Sequence, residues 1–144
     1  LEYLGEVMPN LSIIASYSYI DAKITVGDFP GARLDGIPAN YASLWAKYQF
    51  ALFGVPGFSI SGGVRYIGES WSTGVSPVTG LVHTITTPSH TVFDAMLAYE
   101  NANWRFQVNA SNLTDEIYFA TCLTRGDCFY GTRRMVMSSL TYKF

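Results

Sequence analysis

Trp104–Ser111, "WRFQVNAS", alternates without a break. Trp104, Phe106, Val108 and Ala110 fall on one side of an extended chain, and Arg105, Gln107, Asn109 and Ser111 on the other, because successive side chains of a strand point to opposite faces. A helix would place its apolar residues three and four apart. One face of this segment suits an apolar medium and the other a wet one. What kind of protein carries such a strand depends on how often the pattern recurs and on what joins the copies.

It recurs along the whole chain. In "LSIIASYSY", Leu11, Ile13, Ala15, Tyr17 and Tyr19 oppose Ser12, Ile14, Ser16 and Ser18. In "SLWAKYQF", Leu44, Ala46, Tyr48 and Phe50 oppose Ser43, Trp45, Lys47 and Gln49. "FSISGGVRY" (58–66), "TVFDAMLAY" (91–99) and the terminal Val136–Phe144 read the same way. Strands are therefore expected near 11–25, 39–51, 57–69, 89–100, 103–113 and 133–144, with a partial one at 1–6. No segment has a helical period, so the fold class is all-β.

The joints between these strands alternate in length. "MPN" (8–10), "FGVPG" (53–57) and "NAN" (101–103) are tight turns, whereas 26–40, 70–89 and 114–132 are long. Compact soluble domains seldom use structureless loops beyond about 12–15 residues. Outer-membrane barrels combine short periplasmic turns with long extracellular loops. Strands of about 10 residues cross a bilayer when tilted. Tyr48, Phe50, Phe58, Tyr99, Trp104, Tyr142 and Phe144 all fall on the apolar face near the short turns, where a barrel places an interfacial aromatic girdle.

Composition agrees with a membrane barrel. Of 144 residues, 49% are hydrophobic and 15% aromatic, but only 14% are charged, against roughly 25% in a typical soluble domain. A net charge of −2 argues against a nucleic-acid partner, which selects a basic surface. No apolar run reaches the roughly 18 residues of a transmembrane helix. A soluble β-sandwich shares the alternation, but it would have tight turns at both ends and a more charged surface. The reading is an antiparallel transmembrane β-barrel. The opening Leu1-Glu2 reads as the interior of a longer chain.

Little in the sequence points to catalysis. His83 and His90 have no cysteine or acidic cluster at metal-binding spacing. No glycine-rich phosphate loop follows a strand. Asp94 is a lone carboxylate within its strand and is expected to face a polar lumen, paired with Arg65 or Arg105. Cys122 and Cys128 are a disulfide in an oxidising compartment, or a metal or redox pair in a reducing one. Between them lies Arg125-Gly126-Asp127, the tripeptide of adhesive ligands. This supports an alternative function as a surface adhesin or structural outer-membrane barrel, although a three-residue match arises by chance at about the few-percent level.

Three stretches carry a more specific resemblance: "GVRYIGES" (63–70), "NLTDEIY" (112–118) and "CFYGTRRMVMSSLTYKF" (128–144). With "GIPANYASLWAKY" (36–48) and "HTVFDAMLAY" (90–99), they resemble TonB-dependent outer-membrane siderophore receptors of the ferrichrome type, in order and over essentially the whole chain. The resemblance implies the last seven or so strands of a barrel with about 22 strands, the first incomplete. The plug and the TonB box of such receptors have no counterpart here, so residues 1–144 are expected to be a C-terminal barrel fragment with two unpaired sheet edges.

The resemblance also implies a function. The cell outer membrane of a Gram-negative bacterium is the expected location, with lipid around the barrel. The expected ligand is a ferric siderophore, hydroxamate type first, carried as cargo with no resident cofactor. TonB is the expected partner through the missing N-terminal region, and the barrel-assembly machinery through Leu140, Tyr142 and Phe144 of the last strand. A ferric hydroxamate complex is compact and nearly neutral, so its pocket needs aromatic walls and a few donors. Trp71, Tyr118, Arg125, Phe129 and Tyr130 are the candidate ligand residues, with His83 nearby in the same loops. Leu123 stands where such receptors often carry an aromatic. At an oxidising cell surface Cys122 and Cys128 are expected to form a disulfide, and a ring of about seven residues contributes roughly 2 kcal/mol.

Overall fold

A computed structural model describes residues 1–144. Seven strands form one antiparallel sheet: β1 (Glu2–Met8), β2 (Leu11–Tyr19), β3 (Asn40–Leu52), β4 (Val55–Ile67), β7 (His90–Glu100), β8 (Trp104–Ser111) and β11 (Met135–Tyr142), side by side in that order. Two short hairpins stand outside it, β5 (Ser70–Val75) with β6 (Val82–Thr87), and β9 (Phe119–Cys122) with β10 (Cys128–Tyr130). Neighbours in the sheet are neighbours in sequence once the hairpins are set aside, so the wall is an up-and-down meander.

The register confirms the two faces. Trp104 lies opposite Tyr142, Phe106 opposite Tyr99 and Leu140, and Val108 opposite Leu97 and Ser138. The same apolar side continues through Ile60, Tyr48 and Leu11. On the other side, Ser61 lies between Lys47 and Met96, and Met96 lies opposite Asn109.

Exposure is inverted relative to a water-soluble protein. Leu44, Ile60, Leu97 and Leu140 on the apolar face are 46%, 53%, 49% and 65% exposed, while Ser59 and Ser61 on the polar face are buried. No second sheet covers the apolar side. A sandwich would bury that side, so the sandwich alternative is set aside and the apolar face is one that lipid must cover. The sheet remains open, with β1 and β11 each paired on one edge only.

The short turns follow from local chemistry. Phe53 (φ 50°) and Gly54 (φ 79°) form the two-residue link between β3 and β4, with two positive φ angles in succession, as the right-handed twist of a hairpin favours. The expected turn at 53–57 is thus tighter, and Val55 already belongs to β4. Between β7 and β8, the Asn101 side-chain oxygen accepts the Asn103 and Trp104 N–H groups at 3.0 and 2.8 Å. Rings line up beside these turns. Phe50–Phe58 and Phe58–Tyr99 have centroids 6.0 and 4.6 Å apart, and Trp104–Tyr142 4.6 Å.

Two differences from the sequence reading lie at the other end. The strand expected over 11–25 leaves the sheet after Tyr19, and the chain then turns back through a single Lys23–Arg33 bridge. The long joints at 70–89 and 114–132 contain hairpins rather than structureless loops. The first is rich in Ser and Thr and the second mixes Thr and Gly with charged residues, so neither shows the sustained apolar alternation that makes a half-buried strand visible.

Candidate functional site

All three long connections lie at the edge of the sheet away from the tight turns, and they form a layered cap. The β5–β6 hairpin is its middle layer. Trp71 Cα pairs with Thr86 and Thr73 with Thr84, so Trp71 and Thr73 point to one side, and Ser70, Ser72 and Gly74 to the other. The segment 20–39 runs along the free edge of β5 and reaches over the Trp71 ring. Gly36 N–H donates to the Trp71 carbonyl at 2.9 Å, Thr73 N–H donates to Asp35 Oδ1 at 3.0 Å, and the Arg33 guanidinium sits 4.5 Å over the Trp71 ring. The β9–β10 hairpin meets the second side, where Cys122 N–H donates to Thr87 Oγ1 at 2.9 Å in a buried contact.

The base of the last connection is tied by the "NLTDEIY" stretch. Asn112 is buried in a left-handed conformation, φ 50°. Its amide donates to the Glu116 and Thr132 carbonyls at 2.9 and 3.0 Å, and its oxygen accepts the Glu116 N–H at 2.9 Å. Asp115 accepts from Arg133 through both carboxylate oxygens, at 2.9 and 2.5 Å, and from the Arg134 N–H at 2.9 Å. The Arg133 hydrogen bond, then the Arg134 N–H, hold the Asp115 carboxyl well below the usual carboxylate range. Asp115 in turn raises the Arg133 guanidinium above its ordinary value. Tyr118 completes the clamp. Its carbonyl accepts the Gly131 N–H at 2.8 Å, and its ring lies where a side chain on residue 131 would stand.

Below the clamp, on the polar face, Asp94 pairs with Arg65 and not with Arg105. Arg65 Nε and Nη2 donate to it at 2.7 and 3.2 Å. Arg105 instead donates to Gln107 at 3.0 Å and lies 3.9 Å from Glu100. Asp94 Oδ1 also accepts the Asn112 N–H at 3.0 Å, so one carboxylate joins the wall to the loop base.

The five candidate ligand residues do not converge on one point. One face of Trp71 is covered by Arg33. Tyr118 stacks on His90 with centroids 3.9 Å apart. The Arg125 guanidinium is paired with Asp127 across the tip of the ring. Phe129 and Tyr130 are 49% and 68% exposed, and Tyr130 stacks on Phe119 at 4.8 Å. Phe129 and Tyr130 thus present the open aromatic surface, at the end of the cap nearest the clamp. Arg33, Phe119 and His90 are ring partners that the alternation did not single out. The sequence carries no signal for them beyond their residue types. Cys122 and Cys128 are directly opposite in the β9–β10 pairing and are joined as a disulfide. Leu140, Tyr142 and Phe144 are exposed on the last strand and the residues after it. A concavity of about 630 Å³ lies on the apolar face over Ala46, Gly62 and Ala95, outside the cap.

An amphipathic antiparallel wall with its apolar side outward, tight turns at one end and a cap of long connections at the other defines a segment of an outer-membrane β-barrel. Residues 2–113 match the family described as TonB dependent receptor-like, beta-barrel, and the chain belongs to that family. Over its full length it is 29% identical to the ferrioxamine receptor of Yersinia enterocolitica and 28% identical to the ferrichrome outer membrane transporter/phage receptor of Escherichia coli K12. It covers 20% and 19% of those proteins, so it spans about one fifth of their length. Among solved structures, the ferripyoverdine receptor of the outer membrane of Pseudomonas aeruginosa superposes on 99% of the chain with a TM-score of 0.81. That match covers 19% of the receptor at 22% identity, a likeness of fold.

Proposed function

We propose that residues 1–144 form the C-terminal part of the barrel domain of an outer-membrane receptor that takes up a ferric siderophore of the hydroxamate type. The observation that carries this reading is the full-length similarity to a ferrioxamine receptor and a ferrichrome transporter. The cap geometry supports it. An uncharged, polarisable iron complex is held by aromatic faces and a few donors, and Phe129 and Tyr130 offer such exposed faces. Trp71, Tyr118 and Arg125 would then shape the cap around the ligand, through their pairing with Arg33, His90 and Asp127.

The function assigned is transport and not catalysis, with the siderophore as cargo. TonB would act through the part of the receptor that precedes this segment. The assembly machinery would read Leu140, Tyr142 and Phe144, which share the lipid-facing side. The test is growth of a receptor-deficient Gram-negative strain carrying the full-length gene on purified ferric siderophores. Growth on ferrioxamine or ferrichrome alone supports the hydroxamate assignment. Growth only on a catecholate complex would overturn it, and growth on none would overturn the transport reading.

A further inference from the structure

The three long connections differ in how they are held, and the difference assigns them different mechanical roles. The two ends of the last one are clamped to each other by Asn112, Asp115 and the Tyr118–Gly131 contact, and its base is tied to the wall by the Asn112 N–H on Asp94 and the Leu113 N–H on the Phe93 carbonyl. The β5–β6 arm is held at its base by backbone bonds, Gly68 N–H to the Asn40 carbonyl and Ala39 N–H to the Glu69 carbonyl, and by the His90–Tyr118 stack, with no side-chain hydrogen bond like those of the clamp. The segment 20–39 is held mainly by the arm, through Asp35 to Thr73, Gly36 to Trp71 and Arg33 over Trp71. We propose that the stapled β9–β10 hairpin is the fixed post of the cap, and that its contact with Thr87 and Gly74 is a latch holding the arm and segment 20–39 closed as one body.

The latch has two parts. The Cys122 N–H to Thr87 Oγ1 hydrogen bond is buried and joins residues 35 apart in sequence. Beside it, Gly74 gives Thr124 room, since a Cβ on residue 74 would lie 2.9 Å from Thr124 Oγ1. The disulfide sits at this junction. Cys122 supplies the latch donor, and Thr124 belongs to the ring that Cys122 and Cys128 close. Opening the ring frees Thr124 from its position against Gly74. Segment 20–39 is hydrogen-bonded along the free edge of β5 and only abuts Thr121 of the post at Gly36, so it follows the arm when the latch opens. This inference concerns the ligand-free receptor and goes beyond the transport reading; it stands or falls whatever the cargo is.

The test is hydrogen exchange on the full-length receptor in detergent, without siderophore. It compares Thr87→Val, Gly74→Val and the Cys122→Ser/Cys128→Ser double variant with the parent. Thr87→Val keeps the shape and removes one acceptor, so it remains informative if Gly74→Val fails to fold. The expected result is exchange about tenfold faster over both 70–75 and 33–39 in each folded variant, with 112–118 and 131–134 as protected as in the parent. Faster exchange confined to 119–130 would overturn the proposal, because the contact would then hold only its own hairpin. Loss of protection at 112–118 would equally overturn it, because the post would not be fixed. Unchanged exchange throughout would show that no latch exists.

Discussion

The wall and the cap of this chain are built by different interactions. In the wall, seven strands pair through their backbones, and most side chains sort themselves to an apolar or a polar side, with a few cross-strand contacts such as Arg65–Asp94. In the cap, side chains bond to backbone groups far along the sequence, as Thr87 does to Cys122 and Asp35 to Thr73. A backbone ladder tolerates many side chains, provided their alternation is kept. A cap of specific contacts depends on individual residues. The same chain thus has a part that is general to its family's architecture and a part fixed by its own individual residues.

That contrast can be broken or sharpened by experiment. The largest effect is expected from Asn112→Ala in the full-length receptor, which removes three hydrogen bonds from the loop base. The loss should be about 2–3 kcal/mol, seen as faster hydrogen exchange over 112–134 while the strands keep their protection. If the whole barrel melted at lower temperature instead, wall and cap would be one cooperative unit.

Gly63→Val probes the wall. Trp45 lies against Gly63 so closely that a Cβ there would collide with the indole. Overpacking of this kind costs about 1–3 kcal/mol. Here the prediction is a lower thermal midpoint for the entire receptor, together with a changed Trp emission and unaltered ligand affinity. A change in affinity without a change in midpoint would show that the wall residue acts on the cap.

Tyr130→Ala removes the exposed ring that stacks on Phe119. On the proposed function it should weaken ferric hydroxamate binding by roughly three- to tenfold, measured by fluorescence quenching, with the thermal midpoint unchanged. Unaltered affinity would place the capture surface on parts of the receptor outside this segment.

The smallest effect should come from acid. Because Arg133 and Arg134 lower the Asp115 carboxyl, the stability that this clamp supplies is complete above the ordinary carboxylate value, about pH 4. It is lost as pH falls through the lower folded-state value. Limited pepsin digestion should therefore find Phe119 and Phe129 resistant at pH 4.5 and progressively cut below it, whereas Asp115→Asn should be cut already at pH 4.5. Equal cleavage of both proteins at pH 4.5 would mean that Asp115 does not hold the loop base.

The wall is legible in the sequence because alternation records a property of each residue separately, namely which medium it faces. Leu44, Ile60 and Leu97 are apolar, and the structure leaves them open for lipid; Ser59 and Ser61 are polar and face inward. The "NLTDEIY" stretch was visible as a family feature, but its role as a clamp required the positions of Thr132, Arg133 and Arg134. The choice of Arg65 over Arg105 as the Asp94 partner was open in the sequence, since both share the polar face. It was decided by register: Arg65 stands two residues from Gly63, which lies directly opposite Asp94.

From sequence alone follow the strands, their two faces, the end that carries the long connections and the family resemblance. Tertiary structure alone shows the hairpins inside those connections, Arg33 over Trp71, and the disulfide-stapled tip against Thr87. The physical reason is range. A strand's face is set by each residue's own preference for water or hydrocarbon and leaves a periodic trace. A cap contact is set by two distant polar segments meeting, and neither carries a mark of the other in its own composition.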